Sequence, residues 1–364
     1  MKARIREDLT ALMMVPGLSG HEGRVRAAIR DRIEPLGCTT RTDTLGNLIT
    51  TLPGEGPSIM IFAHMDQLGF VVRRIDPDGM LRLERLGGVP ERALAAQEVL
   101  ICVGPGRDLP GVIANKSHHA TTPDEKYRVL PYAEVYVDAG FVSAAEVEVA
   151  GVRIGTPVVY APRVAALGDD RIMGTSVDDR AGCAVLIELC RMLAGWGMGP
   201  TVHIVFTVQE EFNLRGALPI AQELRPDMAI QLDLMLASDT PDMGARGDLV
   251  LGGGPGMSLY SFHGRGTLNG VIPHPSMVQL IEAAAESEGL PLQRSAQTGI
   301  LTDLSYVQHV GGGVASIDLG FPMRYSHSAR EVCDLNDLVS LALLLGASLA
   351  RIGPEFLLNP DEGL

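Results

Sequence analysis

The stretch Ser58-Ile59-Met60-Ile61-Phe62-Ala63-His64-Met65-Asp66 joins a short apolar run to an imidazole and a carboxylate. The run from Ser58 to Ala63 predicts a strand buried on both faces, as in a sheet covered by helices. His64 and Asp66 share a face of the chain if the extended conformation continues. A metal-binding imidazole usually needs a carboxylate or carbonyl to orient its other nitrogen, and Asp66 is placed to do that. A capped strand end is the competing interpretation.

Other segments have the periodicity of buried strands and amphipathic helices. Three further strands are predicted at Thr201 to Val208, Met228 to Leu232 and Val314 to Leu319. Helices are predicted at residues 22–36, Asp179 to Leu193, Ser276–Glu288 and Asn336–Arg351. Strands that alternate with helices indicate an α/β fold, here a mixed sheet sandwiched by helices.

The stretch from about Leu68 to Leu167 differs in composition. It is rich in Gly, Pro and Val, and its pieces alternate over a few residues, with one possible short helix near Ser143–Val149. This pattern predicts a small β-rich domain inserted into the α/β domain. The expected organisation is a catalytic domain over 1–67 and 169–364, with the insert over 68–168.

Charge and composition exclude several classes of protein. The chain has 364 residues and a net charge of −14, which argues against a nucleic-acid partner because such binding needs a basic surface. No apolar run approaches the length of a membrane span, so no membrane association is expected. Five cysteines without paired spacing predict free thiols and a cytoplasmic location.

Two acidic pairs follow or open predicted elements. Asp178 and Asp179 open a helix, where capping is the ordinary role, but one carboxylate can also bridge two cations. We favour Asp178 as the bridge, with Asp179 as local support. Glu210 and Glu211 end an apolar strand, where like charges are unwelcome without a cation. The functional interpretation makes Glu211 a metal ligand and leaves Glu210 free as the general base.

Asp233 and His327 complete a candidate metal site. We expect Asp233 to end its predicted strand, and ligands of open α/β sheets bind at the carboxyl ends of strands. Two neighbouring cations with a free carboxylate can activate water at neutral pH. Imidazoles and carboxylates without thiolates suit zinc, with cobalt or manganese as alternatives. The expected partition of the five ligands is one ion on His64 and Asp233, another on Glu211 and His327, and Asp178 shared.

Two further places are weaker candidates. His118 and His119 are expected in a loop of the insert, and the alternative is that they reach the active site. Asp303 is a candidate for a supporting or substrate-amine-binding group. The sequence has no Gly-x-Ser-x-Gly nucleophile elbow.

Several motifs in the same order resemble those of the dinuclear metallo-aminopeptidases of the glutamyl aminopeptidase and TET (tetrahedral) type, metallopeptidase family forty-two. The matching segments cover nearly the whole chain and are Gly17–Glu22, Asp43–Leu48, Ala63–Asp66, Gly111–Ile113, Asp178–Gly182, Thr207–Glu211, Leu214–Ala217, Asp239–Pro241 and Arg324–Ser328.

The resemblance implies a zinc-peptidase-like catalytic domain that hydrolyses N-terminal residues from short peptides with two divalent metal ions per subunit. It implies metal ligands at His64, Asp178, Glu211, Asp233 and His327. It also implies that Glu210 is the catalytic base and that Asp66 orients the site. The resemblance also implies that the β-rich insert is a dimerisation domain, so a homo-oligomer is expected, either a dimer or a dodecamer built from dimers.

This sequence departs from the family pattern at a few positions near the site. Gln67 stands where many relatives have Glu, Phe212-Asn213 replaces a small Val-Gly pair, and Asp318 stands where relatives are commonly apolar. These positions leave the side-chain preference open. Two alternatives also remain, a related metal-dependent deacylase or carboxypeptidase and a non-catalytic assembly protein that keeps metals for stability.

Overall fold

A computed structural model describes residues 1–195, 197, 199–263 and 270–361. Its α-helices are α1 Lys2–Met13, α2 Gly23–Ile33, α3 Ala144–Val149, α4 Val177–Met192, α5 Ala217–Leu224, α6 Pro275–Glu288, α7 Leu304–Val307 and α8 Leu335–Leu349. Its strands are β1 Thr40–Thr42, β2 Leu48–Leu52, β3 Ser58–His64, β4 Gly69–Ile75, β5 Leu81–Leu86, β6 Glu98–Ile101, β7 Leu109–Ile113, β8 Tyr136–Asp138, β9 Pro157–Tyr160, β10 Val164–Leu167, β11 Arg171–Gly174, β12 Thr201–Thr207, β13 Met228–Leu236, β14 Gly256–Phe262, β15 Gly270–Val271, β16 Gln293–Thr298, β17 Ala315–Arg324 and β18 Glu331–Asp334. Short 3₁₀ turns lie at Glu34–Leu36, Glu91–Ala93, His118–Ala120 and Tyr132–Glu134.

A large mixed sheet forms the centre of the molecule. Its main path through the described residues runs β1-β2-β12-β3-β13-β17-β18-β11-β10, and β14 branches from β17 and carries β15 and β16. The central strands β12, β3, β13 and β17 are parallel neighbours, while the outer strands of the path pair antiparallel. The carboxyl ends of the central strands therefore meet at one edge, which is where ligands bind in sheets of this kind.

Strand β3 is buried on both faces, as its unbroken apolar run predicts. Ile59 and Ile61 belong to the core formed with α1, α2, α4, α6 and α8. Met60 and Phe62 point to the other face, where they pack in a second core with residues of α5 and α7. Alternate side chains of β3 thus pack against helices on opposite sides of the sheet, which confirms the predicted α/β sandwich.

A closed antiparallel barrel is formed by β4-β5-β8-β7-β6-β9. It has its own apolar core, with Phe70, Val72, Leu83 and Val137 among the buried side chains. The predicted β-rich segment therefore forms a separate small sheet structure. Strand β10 hydrogen-bonds with β11 in the large sheet, although the sequence assigns its residues to the insert. The domain limits at 68 and 168 remain a prediction.

The start of α4 departs from regular helix. Asp178 and Asp179 have non-helical backbone angles, so regular helix begins at Arg180. Oδ1 of Asp179 accepts a hydrogen bond from the backbone N–H of Gly182 at 2.9 Å, which is the contact of an N-terminal cap. The other oxygen, Oδ2, accepts from the backbone N–H of His64 at 3.2 Å, so Asp179 ties the helix to the end of β3. Within the described part of the chain, no helix is both long and apolar enough to cross a membrane.

Candidate metal centre

The sequence-predicted site residues converge at the carboxyl edge of the parallel strands. His64 is the last residue of β3, and it pairs in register with Thr207, the last residue of β12. Glu210 and Glu211 lie three and four residues after the end of β12, and His327 lies three residues after the end of β17. Three parallel strands, β3, β12 and β17, thus bring the segments at or after their carboxyl ends to one place, which explains how distant parts of the sequence meet.

Asp233 does not end its strand, so this expectation was wrong. Strand β13 continues to Leu236, because Leu234, Met235 and Leu236 extend the parallel ladder with β17. Asp233 therefore lies inside the strand, opposite Gly320. A side chain added at Gly320 would lie 2.2 Å from the carbonyl oxygen of Asp233, so only glycine fits this close approach.

The two oxygens of Asp178 face two different imidazoles. Oδ1 lies 2.9 Å from Nε2 of His64, and Oδ2 lies 3.5 Å from Nε2 of His327. Nε2 of His327 is also 3.7 Å from Oε2 of Glu211. Among the described residues, two groups bring their possible ligand atoms within 4.8 Å of one another: His64 with Asp178 and Asp233, and Asp178 with Glu211 and His327. Asp178 is common to both groups.

Asp66 is fully buried and connects the end of β3 with the acidic pair after β12. Its Oδ1 accepts from the backbone N–H of Glu210 at 3.0 Å, and its Oδ2 accepts from that of Glu211 at 3.1 Å. The hydroxyl of Ser19 donates to Oδ2 at 2.5 Å. Nδ1 of His64 lies 3.2 Å from the Asp66 carbonyl oxygen and 3.4 Å from Oδ1. Asp66 thus holds both glutamates and one imidazole in place.

Sequence reasoning missed Glu331, the first residue of β18. Its two carboxylate oxygens accept hydrogen bonds from the backbone N–H groups of Asp178, at 3.1 Å, and His327, at 2.8 Å. Glu331 therefore holds the backbone of two candidate ligands, Asp178 and His327, in place. An acid close after His327 in the sequence is a weak pattern, and only the pairing of β18 with β17 shows where it lies.

Sequence reasoning also missed the roles of Glu22 and Gly88, because only the folded structure shows the groups that they contact. Oε1 of Glu22 accepts from the backbone N–H groups of Gly20, at 2.6 Å, and Gln209, at 3.1 Å. The carbonyl oxygen of Gly88, in the segment that follows β5, accepts from Nδ1 of His327 at 3.0 Å if that nitrogen carries the proton. The barrel side of the molecule therefore orients one of the site imidazoles.

Strained backbone is concentrated around the site. Gln209, Asn213, Leu214, Tyr325 and His327 all have positive φ, between 57° and 65°. Residues other than glycine rarely adopt positive φ. Those that do are enriched at functional sites, where the surrounding structure holds the backbone in place. Asn213 is one of the positions at which the sequence analysis expects a departure from the family pattern, and asparagine tolerates this conformation better than most residues. The structure thus explains why this departure is accommodated.

The acidic side chains of the site carry raised pKa values. Burial raises the pKa of Glu211 and of Asp233 to about 7, and the neighbouring Asp178 adds to both shifts. Burial also raises the pKa of Glu210 well above its usual value, with Asp233 and Glu211 as further contributors. Several carboxyl groups this close cannot all ionise without a nearby cation.

The histidines and Asp178 shift in the opposite sense. Burial alone lowers the pKa of His64, but its hydrogen bonds to Asp178 and Asp66 outweigh burial and raise it well above the usual value. Burial also lowers the pKa of His327, but the charge of Glu211 and the contact with Asp178 outweigh burial and raise this pKa well above the usual value. Burial raises the pKa of Asp178, but the two imidazoles hold it below its usual value. The carboxylate of Asp178 therefore remains an anion between two imidazoles.

The remaining candidates from the sequence, Asp303 and the pair His118 and His119, lie in different surroundings. Asp303 is buried at 1% exposure, and burial, together with the charges of Asp66 and Asp233, raises its pKa to about 8. It lies at the start of α7, close enough to the site for these charges to act on it. His118 and His119 are exposed on a 3₁₀ turn beside the barrel.

Comparison with known proteins gives consistent results. The model of the M42 glutamyl aminopeptidase family matches residues 46–344. The Escherichia coli protein SgcX is 32% identical over 366 residues, which covers 100% of this chain and 98% of that protein. The aminopeptidase APDkam598 from the archaeon Desulfurococcus kamchatkensis superposes with a TM-score of 0.90 at 33% identity, over 97% of this chain and 96% of that chain.

A further structure has a TM-score of 0.84 at 29% identity, and covers 95% of this chain and 99% of its own. It is the TET1 peptidase of Pyrococcus horikoshii, described as able to assemble into a tetrahedron or a large octahedral shell. The fold and the site define an α/β metallopeptidase. The chain belongs to the M42 glutamyl aminopeptidase family, and it is a metal-dependent hydrolase of peptide bonds.

Proposed function

We propose that this protein removes N-terminal residues from short peptides with two divalent metal ions bound side by side. In this proposal His64 and Asp233 would hold one ion, Glu211 and His327 would hold the other, and Asp178 would contribute to both sites. The observation that carries the proposal is the position of Asp178, whose two oxygens face the two imidazoles and which belongs to both ligand groups.

The chemistry of these side chains fits divalent ions. The groups offer imidazole nitrogens and carboxylate oxygens without a thiolate, which suits zinc first, and cobalt or manganese as well. Oε1 of Glu211 is buried and has no hydrogen-bond partner. A buried acceptor without a partner is costly, and a cation beside it would remove that cost.

Glu210 is proposed as the general base. Its Oε2 lies 3.9 Å from Nε2 of His64, so it stands beside the ligands without belonging to either group. When bound, the two ions lower the pKa of a water molecule and polarise the scissile carbonyl. Glu210 takes a proton from water and passes it to the nitrogen of the leaving peptide. Asp66 positions Glu210 through its backbone N–H.

The free amino group of the substrate distinguishes an aminopeptidase from related hydrolases. Substrate reaches the site through a cavity of about 390 Å³, lined by Asp178, Glu210, Glu211, Asp233 and His327 together with apolar residues. The positively charged amine is expected to bind near the ions, where Asp303, a buried carboxyl group at the start of α7, is a candidate partner. An N-acetylated peptide has no such charge, so it is expected to be a poor substrate.

The test uses purified full-length protein reconstituted in turn with zinc, cobalt and manganese. A panel of short peptides with free N-termini is compared with their N-acetylated counterparts. The proposal expects release of the first residue from the free peptides only, and only with metal present. Cleavage of the acetylated set instead would indicate a deacylase, and no turnover across the panel would favour a metal-stabilised assembly protein.

We also infer that the insert over residues 68–168 is a dimerisation domain and that dimers build a larger shell. The separate apolar core of the barrel supports the first part. The described assemblies of the Pyrococcus horikoshii protein support the second. A cytoplasmic location remains our expectation from the unpaired cysteine count. Mass measurement of the native protein in solution distinguishes a dimer from a dodecamer.

A further inference from the structure

Two of the five cysteines meet in the fold. The structure describes all five, and each of them is a free thiol. Cys38 lies between the 3₁₀ turn Glu34–Leu36 and β1, and Cys190 lies in the last turn of α4. Both side chains belong to the core formed with α1, α2, α4, α6 and α8. Within this core the thiol of Cys190 donates a hydrogen bond to the sulfur of Cys38, so the two sulfur atoms are neighbours.

The two sulfur atoms differ in reactivity. The hydrogen bond from Cys190 lowers the pKa of Cys38 to about 7, and the hydroxyl of Thr50 contributes in the same direction, although burial opposes both. The same hydrogen bond, together with burial, raises the pKa of Cys190 well above its usual value. The thiolate is the nucleophilic form of cysteine. Cys38 is therefore the attacking group near neutral pH, while Cys190 stays a thiol.

The remaining three cysteines have different surroundings. Burial raises the pKa of Cys102 to about 12, and it also raises the pKa values of Cys183 and Cys333. The thiol of Cys102 donates to the carbonyl oxygen of Leu100 at 3.7 Å, and that of Cys183 donates to the carbonyl oxygen of His64 at 3.2 Å. These thiols are expected to react slowly, and they serve as internal references.

Cys38 lies where a small molecule can reach it from solvent. It is 7% exposed, whereas Cys190 is 1% exposed. Pro35, Gly37 and Thr39 are exposed, so the sulfur of Cys38 lies beneath a surface segment. Hydrogen peroxide is little larger than a water molecule, and it can approach a sulfur atom that bulkier reagents do not reach.

The pair also connects two parts of the chain that the barrel separates in sequence. Cys38 precedes β1, and β3, the whole barrel and the start of α4 lie between it and Cys190. Regular helix in α4 begins at Arg180, and a rise of about 1.5 Å per residue places Cys190 about 15 Å farther along the helix axis. A bond between the two sulfur atoms would therefore use no candidate metal ligand.

We propose that Cys38 and Cys190 are a modification site, at which a hydroperoxide forms a reversible disulfide that ties α4 to the segment before β1. The thiolate of Cys38 attacks one peroxide oxygen, the O–O bond breaks, and Cys38 becomes a sulfenic acid while hydroxide leaves. Cys190 then gives up its proton and its sulfur attacks the sulfur of Cys38, which breaks the S–O bond. The two thiols lose two electrons and two protons in total, and one hydrogen peroxide becomes two water molecules.

The test treats the zinc-reconstituted, full-length protein with hydrogen peroxide at pH 7. The remaining thiols are then blocked with N-ethylmaleimide, and the peptides are mapped by mass spectrometry. The expected product is a disulfide between Cys38 and Cys190 that forms at least tenfold faster than Cys102 is oxidised and that dithiothreitol reverses. Wild-type protein in which both thiols stay free, or in which Cys102 reacts first, overturns the proposal.

The variant Cys190→Ser separates the two steps, because serine keeps a hydrogen-bond donor but has no sulfur. Cys38 should then stop at the sulfenic acid, which dimedone labels. Cys38→Ser should leave Cys190 unoxidised. The matched control is Cys333→Ser, which removes a buried cysteine of the same core and should form the disulfide at the wild-type rate. Absence of the dimedone label on Cys38 in Cys190→Ser, or oxidation of Cys190 in Cys38→Ser, overturns the assigned order of attack and with it the proposal.

Discussion

Oδ1 of Asp66 accepts a hydrogen bond of 3.0 Å from the backbone N–H of Glu210. This contact joins the segment after β3 to the segment after β12, and it sets the backbone position of the proposed base. Because Asp66 is fully buried and is held by Ser19 as well, it has little freedom to move. The position of Glu210 relative to the proposed ions therefore depends on a residue that touches neither substrate nor metal in the proposed arrangement.

Glu210→Gln is expected to lower kcat by roughly 10²–10⁴-fold, since that is the usual contribution of a general base. Glutamine has the same shape but cannot take a proton from water. Metal content, measured by elemental analysis, should equal that of the wild type because Glu210 is outside both ligand groups. Normal turnover in this variant would show that another group is the base.

Asp66→Asn should reduce activity by roughly 10–100-fold, the usual effect of removing a residue that orients metal ligands and their neighbours. Asparagine offers one acceptor oxygen where Asp66 now uses two, so one of the N–H groups of Glu210 and Glu211 loses its partner. Ser19→Ala removes only one hydrogen bond to the same carboxylate and serves as the milder comparison. We expect the fall to appear in kcat at retained metal content. Equal losses in the two variants would contradict this role for Asp66.

Gly88→Ala should displace His327. A Cβ at position 88 would lie 2.8 Å from Nδ1 and 3.0 Å from Cε1 of that ring, so the imidazole has to shift. The expected result is weaker binding of the metal ion at Glu211 and His327, with activity lowered by roughly 10–100-fold at limiting metal. Gly312→Ala is the matched control, because a side chain there meets nothing within 4 Å. Metal titration by calorimetry measures the effect, and equal affinities in the two variants would contradict it.

The metal-free protein should lose stability as pH rises. The pKa values of Glu211 and Asp233 are about 7 in the folded protein, whereas free carboxyl groups titrate near 4. Between these values the folded state binds more protons than the unfolded state, so the free energy of unfolding decreases from about pH 4 to about pH 7. The raised pKa values of His64 and His327 act in the same direction above about pH 6.5.

The measurement is the melting temperature of chelator-treated protein from pH 5 to pH 8. Added zinc should reduce or reverse the decrease, because metal binding requires deprotonated ligands and strengthens with pH. A melting temperature of the chelated protein that rises over this range would contradict the assigned electrostatics.

The fold was predictable where a local pattern decides it. The apolar run before His64 identified a strand buried on both faces, and the helices on each side of β3 confirm it. The end of β13 was not predictable, because Leu234 to Leu236 are apolar enough for either a strand or a buried loop. Pairing with β17 decides for the strand, and that pairing is a property of the assembled sheet.

The site could be predicted only in part for a related reason. His64, Asp178 and His327 stand in segments with recognisable motifs, so their convergence was expected. Glu331 and Gly88 act through backbone groups of distant segments, and neither stands in a sequence pattern that indicates such a contact. Asp318 was noticed as a departure, but its burial and the hydrogen bond that it accepts from Thr302 depend on how β17 packs in the assembled sheet.

The most direct test of the central claim is a crystal structure of the zinc-soaked Glu210→Gln variant with an anomalous difference map at the zinc edge. We predict two peaks about 3.5–4 Å apart. One should contact His64 and Asp233, the other Glu211 and His327, and each should lie on one oxygen of Asp178. A single peak, or two peaks that do not share Asp178, would contradict the account.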